Sequence, residues 1–284
     1  MLICKPLFNV EILKCIVEYM DKIGLDHQRR FAKFQIPEKL DHFLWGFAPT
    51  ENVIFFVNEC LGDKKTHQFF HGCSQHLNFS FIDNANTLPS TSLASVLTYF
   101  FNTYSEYSNK GNYWLEEKEQ SLWLVRSNRE HLGISREKDF TEPMSLSVCV
   151  QVLKIALGND WQPEKLEIIG GDVNKQQYLT NALFKNCNIA INQQHSAIKI
   201  GAMSAIDFLP LDIRTVNQPL TLQREIEKLM IGFLCDRHLN IDTIAESMGL
   251  SVRTLQRTLK SLNITFRQFL NETRMRYAAF LLNN

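Results

Sequence analysis

The sequence predicts an α+β segment over residues 1–212, helices with an antiparallel sheet, followed by an all-helical segment over 213–284. Three observations carry this. Helix-like and strand-like runs intermingle over the first two hundred residues, in the order helix, hairpin, helix, strand, helix, hairpin. From Leu220 onward the strand signals stop. Between the two, 207–218 (DFLPLDIRTVNQ) holds Pro210, ends in polar residues and precedes Pro219, as a linker does.

The first segment opens on a helix. Val10, Leu13, Ile16, Val17 and Met20 recur at helical spacing before a Gly24 stop. Residues 51–61 and 64–70 continue that character. A stronger helix is expected over 90–108, with Ser90, Thr91 and Ser92 as capping candidates and Leu93, Val96, Leu97, Phe100 and Phe101 as its apolar stripe. After Asn109-Lys110-Gly111-Asn112 the period changes. Residues 113–117 and 121–126 read as two strands with a polar turn between them, and Glu116 and Glu117 sit near its tip. A helix over 143–157 ends at Gly158-Asn159-Asp160. A strand over 165–169, a helix over 174–184 and a second hairpin from 188–191 and 197–200 complete the segment.

The C-terminal segment reads as four helices, 221–235, 241–248, 252–262 and 265–282. The middle pair has a particular grammar. Ile244, Ala245 and Met248 share one side. Gly249 supplies the positive φ that a tight helix end favours, and Leu250 follows as an apolar anchor. Ser251 is a good N-cap for the next helix, Leu255, Leu259 and Leu262 line its inner side, and Asn263 suits a left-handed C-cap. The small Ala245 lets two helices cross closely. These are the marks of a helix-turn-helix. With the leucines inward, Arg253, Gln256, Arg257 and Lys260 point elsewhere, and Arg and Gln carry the donor–acceptor geometry that reads guanine and adenine edges.

Composition sets the limits. The chain has 284 residues, room for one large or two ordinary domains. Hydrophobic residues are 45% and charged residues 21%, which places it with core-forming rather than disordered chains. Lys+Arg and Asp+Glu both total 30, so any attraction to nucleic acid must be local. It is local: from Gly249 onward Arg253, Arg257, Lys260, Arg267, Arg274 and Arg276 face Glu272 alone. The bland reading of that face is the solvated side of an αα-hairpin. The 7 cysteines form no C-x-x-C pair, and the N-terminus reads as no secretory leader, so reduced thiols in the cytoplasm are expected. No run approaches the roughly 20 apolar residues of a membrane span.

Residues 242–282, with IAESMGLSVRTLQRTLKSLNITFRQFLNETRMRYAAFLL, resemble the first helix-turn-helix and connecting helix of AraC/XylS-type transcriptional regulators. The S-x-R-T-L-Q-R-x-L run and the F-R-Q-F-L after it carry the resemblance. It implies that Arg253, Gln256 and Arg257 approach bases, that Thr254 and Lys260 meet phosphates, and that Phe266 and Phe269 pack back on the first bundle. Upstream, FIDNANTLPSTSLASVLTYFFNTY, SLSVCVQVLKIALGNDWQPEKLEII and above all GNDWQP are similar to the effector domain of the ornithine- and arginine-responsive subgroup, an α+β sensor rather than a cupin barrel. The resemblance implies an effector-binding and dimerising domain over 1–212 and a DNA-binding region over 213–284. The implied partners are double-stranded DNA, a small-molecule effector, a second copy of the chain and RNA polymerase. The family carries a second helix-turn-helix after the connecting helix, and this sequence shows only the first. Leu281 and Leu282 are then expected to lack the bundle that such a unit provides.

Rival chemistry is thinner. In 66–76 (THQFFHGCSQH) His67 and His71 stand four apart with Cys73 and His76 close behind, but Gly72 interrupts the helix and no further ligands complete a metal site. No G-x-S-x-G, Walker loop or G-x-G-x-x-G is present, Gly170-Gly171 reads as a turn, and His131 and Cys149 have no visible triad partners, so neither catalysis nor a cofactor is expected. Phe100, Phe101, Tyr104, Tyr113, Trp114 and Trp123 cluster around the long helix and first hairpin. They read mainly as core, with an effector pocket somewhere in that layer whose residues the sequence does not name. The competing function is a sensor or interaction protein that does not bind DNA and carries a vestigial helix-turn-helix.

Overall fold

The computed structural model describes residues 7–37, 39–40, 46–62, 69, 72–73, 76–77, 80–104, 107, 111–128, 135–169, 184, 186–202, 221–236 and 239–283. The chain forms two compact units. One comprises Met1–Gly62, Glu106–Asn109 and Leu220–Asn284, and the other Asp63–Ser105 and Lys110–Pro219.

In the first unit, β1 (Leu7–Asn9) and β2 (Phe47–Pro49) pair antiparallel, with Phe8 opposite Ala48. Each runs directly into a helix, α1 (Val10–Lys22) and α2 (Thr50–Leu61). Asn9 makes the first transition: its side-chain oxygen accepts from the N–H groups of Glu11 and Ile12 at 2.8 and 3.1 Å, satisfying two donors that a helix start leaves open. Gly24, at φ +69, ends the turn after α1 as the sequence suggests.

From Leu222 the described residues of this unit are helical: α6 (Leu222–Gly232), α7 (Ile241–Ser247), α8 (Val252–Ser261) and α9 (Phe266–Asn283). Helices α3 (Ser80–Asn86), α4 (Leu93–Thr103) and α5 (Ser135–Leu157) lie in the second unit. Helix α6 is buried without a break from Glu225 to Gly232, so it is surrounded rather than half-solvated. β2 lies against it backbone to backbone. A Cβ on Gly232 would stand 2.3 Å from the Phe47 carbonyl oxygen, and one on Gly46 2.4 Å from the Gly232 Cα. Only a pair of glycines permits that approach. Lys228 is buried beside the strand, its Nζ 5.3 Å from the centre of the Phe47 ring. A single core results, in which Leu7 and Phe47 join Ile226, Leu229, Met230, Ile244, Met248, Leu255, Leu259 and Phe269. The C-terminal helices therefore share their interior with the start of the chain.

The second unit holds α3 (Ser80–Asn86), α4 (Leu93–Thr103), α5 (Ser135–Leu157) and a five-stranded sheet. The strands are β3 (Gly111–Lys118), β4 (Ser121–Asn128), β5 (Lys165–Ile169), β6 (Asn188–Gln193) and β7 (Ser196–Ala202), in the spatial order β3-β4-β7-β5-β6. Ser92 caps α4, accepting from the N–H of Ser95 at 3.3 Å. The β3–β4 hairpin turns at Glu119 and Gln120, both at positive φ, so Glu116 and Glu117 lie within the strand rather than at the tip. Tyr113, Phe100 and Tyr104 interlock on the helix side of the sheet, with ring centres 4.5 to 5.0 Å apart. Arg126 and Glu142 form a buried ion pair between β4 and α5.

The expected hairpin from 188–191 and 197–200 does not form. β6 and β7 are joined by Gln194-His195 alone, yet β5 lies between them, parallel to β6 and antiparallel to β7. β5 is short enough for the link to pass across its end, where the Ile169 N–H donates to the buried Ser196 hydroxyl at 3.1 Å. The sheet is accordingly not purely antiparallel.

Residues 174–183 of the expected helix, Gly170-Gly171, most of 64–70 and the linker at 207–218 lie outside the described residues. No helix among the described residues is long and apolar enough to cross a membrane.

Candidate nucleic-acid interface

Helices α7 and α8 form the helix-turn-helix. Asn240 caps α7, its side-chain oxygen accepting from the Thr243 N–H at 2.9 Å. Gly249 ends it at φ +69, with its N–H returning to the Glu246 carbonyl at 2.9 Å and that of Leu250 to the Ala245 carbonyl at 2.8 Å. That paired return closes a helix C-terminus tightly and requires a left-handed residue at its centre. Ser251 then starts α8, its hydroxyl accepting from the Thr254 N–H at 3.1 Å. Ala245 is buried where the two helices meet.

Helix α8 has two sharply different sides. Leu255 and Leu259 are buried in the shared core, while Arg253, Gln256, Arg257 and Lys260 are all exposed. Thr254 is half-buried and its hydroxyl is 2.8 Å from that of Ser251, so the cap already engages the oxygen assigned to a phosphate. Leu262 departs from its expected place and is 41% exposed. The helix ends at Ser261, and Asn263, at φ +55, swings the chain away. The N–H groups of Asn263 and Ile264 return to the carbonyls of Lys260 and Leu259, and Ile264 packs against the core instead.

Helix α9 begins with a reciprocal cap. The Thr265 hydroxyl receives the Gln268 N–H at 3.3 Å, and the Gln268 side-chain oxygen receives the Thr265 N–H at 3.0 Å. Phe269 is buried and Phe266 packs beside it on the same core. Arg276 is tied to Glu227 of α6 at 3.0 Å, and Glu227 also receives Arg224 at 2.8 Å. Arg253, Arg257, Lys260, Arg267 and Arg274 form no ion pair among the described residues. All five are exposed. Along the second half of α9, Met275, Phe280, Leu281 and Leu282 are exposed.

The other candidates do not converge. Cys73 is buried, His76 makes a 2.7 Å hydrogen bond with the Gly72 carbonyl, and His67 and His71 lie outside the described residues. No group of three metal-ligating side chains occurs among the described residues. The aromatic cluster divides across the sheet, because successive strand residues point to opposite faces. Tyr113 sits with Phe100 and Tyr104, whereas Trp114 and Trp123 lie on the other face with Val125 and Ala197.

Compared with known protein families and with curated proteins, the chain matches none. Among solved structures, the transcriptional regulator CdpR from Pseudomonas aeruginosa is similar over 96% of this chain and 85% of that one, at 11% identity and a TM-score of 0.38. Similarity at that level leaves function to be argued from this chain's own residues.

Proposed function

We propose that this protein is a ligand-responsive transcriptional regulator of the AraC/XylS type that reads the major groove with α8. The observation that supports it is the exposed Arg253, Gln256, Arg257 and Lys260 face on a helix whose opposite leucines are locked into a helix-turn-helix core. Arg and Gln on such a face match the hydrogen-bonding edges of guanine and adenine. Lys260, with Arg267 and Arg274 nearby in sequence, supplies charge for phosphates. In this reading the protein is a binding protein without catalytic role or cofactor, and it works in the cytoplasm. Residues 1–212 bind the effector and dimerise and 213–284 bind DNA, with Leu7 and Phe47 of the former completing the core of the latter. A second copy presents a second α8 to a half-site about 34 Å away, and the effector shifts the balance between two arrangements of the pair. RNA polymerase is the further partner that a regulator of this kind addresses.

Selection of duplexes from a random pool, followed by anisotropy titration of the selected site, tests this. The selected site binds far more tightly than random duplex. Arg257→Ala loses about 1–3 kcal/mol on the selected site and much less on random DNA. Failure to enrich any sequence removes the regulator reading. The rival, an interaction protein whose helices no longer meet DNA, draws on the exposed Met275, Phe280, Leu281 and Leu282, and the same experiment decides between them.

A further inference from the structure

The register of α8 carries more than the presence of an exposed polar face. Arg253, Gln256, Arg257 and Lys260 stand at i, i+3, i+4 and i+7, the spacing that keeps side chains on one side of a helix. At about 100° per residue, Arg253 and Arg257 fall close to the line directly opposite the buried Leu255 and Leu259, and Gln256 stands to one side of it. Those leucines are held in the shared core and the Ser251 cap sets the helix start, so the two guanidinium groups leave from a fixed frame. Neither forms an ion pair among the described residues.

Four residues advance an α-helix by about 6 Å, and base pairs are spaced by about 3.4 Å. Two side chains one turn apart therefore reach base pairs about two steps apart when the helix lies along the major groove. Guanine offers O6 and N7 side by side, which the planar fork of arginine fits with two N–H groups, whereas a phosphate is served by any point charge. Both positions that point straight away from the core are arginine. They lie within 252–257, the early part of the helix, which is where a reading helix meets base edges, and Lys260 stands in the last turn.

We infer that the half-site read by α8 carries two G·C pairs separated by one base pair, one held by Arg253 and the other by Arg257, with an A·T pair beside the latter met by Gln256. The inference rests on the DNA-reading part of the proposed function and names the sequence that it selects. The guanines lie on either strand, because both strands present their base edges to the same groove. Gln256, only about 1.5 Å along the axis from Arg257, pairs its amide with adenine N6 and N7. Lys260 adds affinity without sequence preference.

Selection from a random duplex pool with the full-length protein, then anisotropy titration of the selected site carrying 7-deazaguanine at one position at a time, tests this. The analogue keeps O6 and base pairing and lacks N7. Two guanines whose base pairs are two steps apart should each lose about tenfold in affinity on that replacement, since a bidentate contact is broken. Arg253→Ala should abolish the loss at one of them and keep it at the other, and Arg257→Ala should do the reverse. Melting curves of both variants should be unchanged, because both side chains are exposed. A selected site without G·C pairs two steps apart, indifference to 7-deazaguanine, or equal losses at both guanines in each variant would overturn the inference and leave the regulator reading standing. A pool that enriches nothing removes both.

Discussion

Gly232→Ala sets two rules against each other, and the structure decides the sign. Gly232 closes α6 without the positive φ that favours glycine, so helix propensity alone predicts that alanine stabilises by about 0.5–1 kcal/mol. The new Cβ, however, would stand 2.3 Å from the Phe47 carbonyl oxygen and 3.2 Å from that residue's carbonyl carbon and nitrogen, where ordinary contact begins at 3.4 Å. Both partners are backbone, so no side chain can rotate away. β2 and α6 must separate by about 1 Å, and overpacking of that kind costs roughly 1–3 kcal/mol. The net expectation is a loss of about 1–2 kcal/mol, a fall of roughly 0.5–1 M in urea midpoint for a slope near 2 kcal/mol/M. Gly201→Ala is the matched control: its Cβ would meet nothing within 4 Å. Urea unfolding by circular dichroism measures both, with hydrogen exchange over 222–270 to locate the effect. A Gly232→Ala midpoint at or above that of Gly201→Ala would refute the reasoning that β2 and α6 touch through their backbones.

Three other perturbations are expected to separate by mechanism. Leu255→Ala opens a cavity in the shared core and should cost about 2–5 kcal/mol, so melting temperature and DNA binding fall together. Lys260→Ala should leave the melting curve unchanged and reduce the slope of log affinity against log salt by about one, equally on selected and random duplexes, as measured by anisotropy. The Cys149 thiol is pushed up to about 12 by burial, against an unfolded value of 9.0. A thiol whose pKa is raised on folding contributes its full stability below pH 9 and loses it as pH rises towards 12, by about 1.4 kcal/mol per pH unit. Urea midpoints taken from pH 8 to 11 should fall more steeply for the wild type than for Cys149→Ala.

The helical segment was the most legible part of the chain. Gly249, Ser251 and Asn263 are local signals, and each acts within a few residues of itself. The error at Leu262 has the same local origin: the period continues one residue past the point where Asn263 turns the backbone. Long-range pairing left no such trace. β1 and β2 are three residues each and buried throughout, so they show no alternation to read, and nothing near Leu7 announces Phe47 or Ile226 as its neighbours. The β6–β7 link looks like a tight hairpin turn, because the strand that intervenes lies some twenty residues earlier. Of the interface, residue identities and exposure were readable, but the Arg276–Glu227 pair, which removes one cation from the exposed set, needed three dimensions.

Residues 7–49 and 222–270 have to meet before either is finished. During synthesis Leu7 leaves the ribosome some two hundred residues before the helices that enclose it. Until then the faces of β1 and β2 lack the helices that bury them in the fold. The helix-turn-helix core is thus completed late: a shortened message ending before Ile226 would leave Leu7 and Phe47 without the partners that bury them.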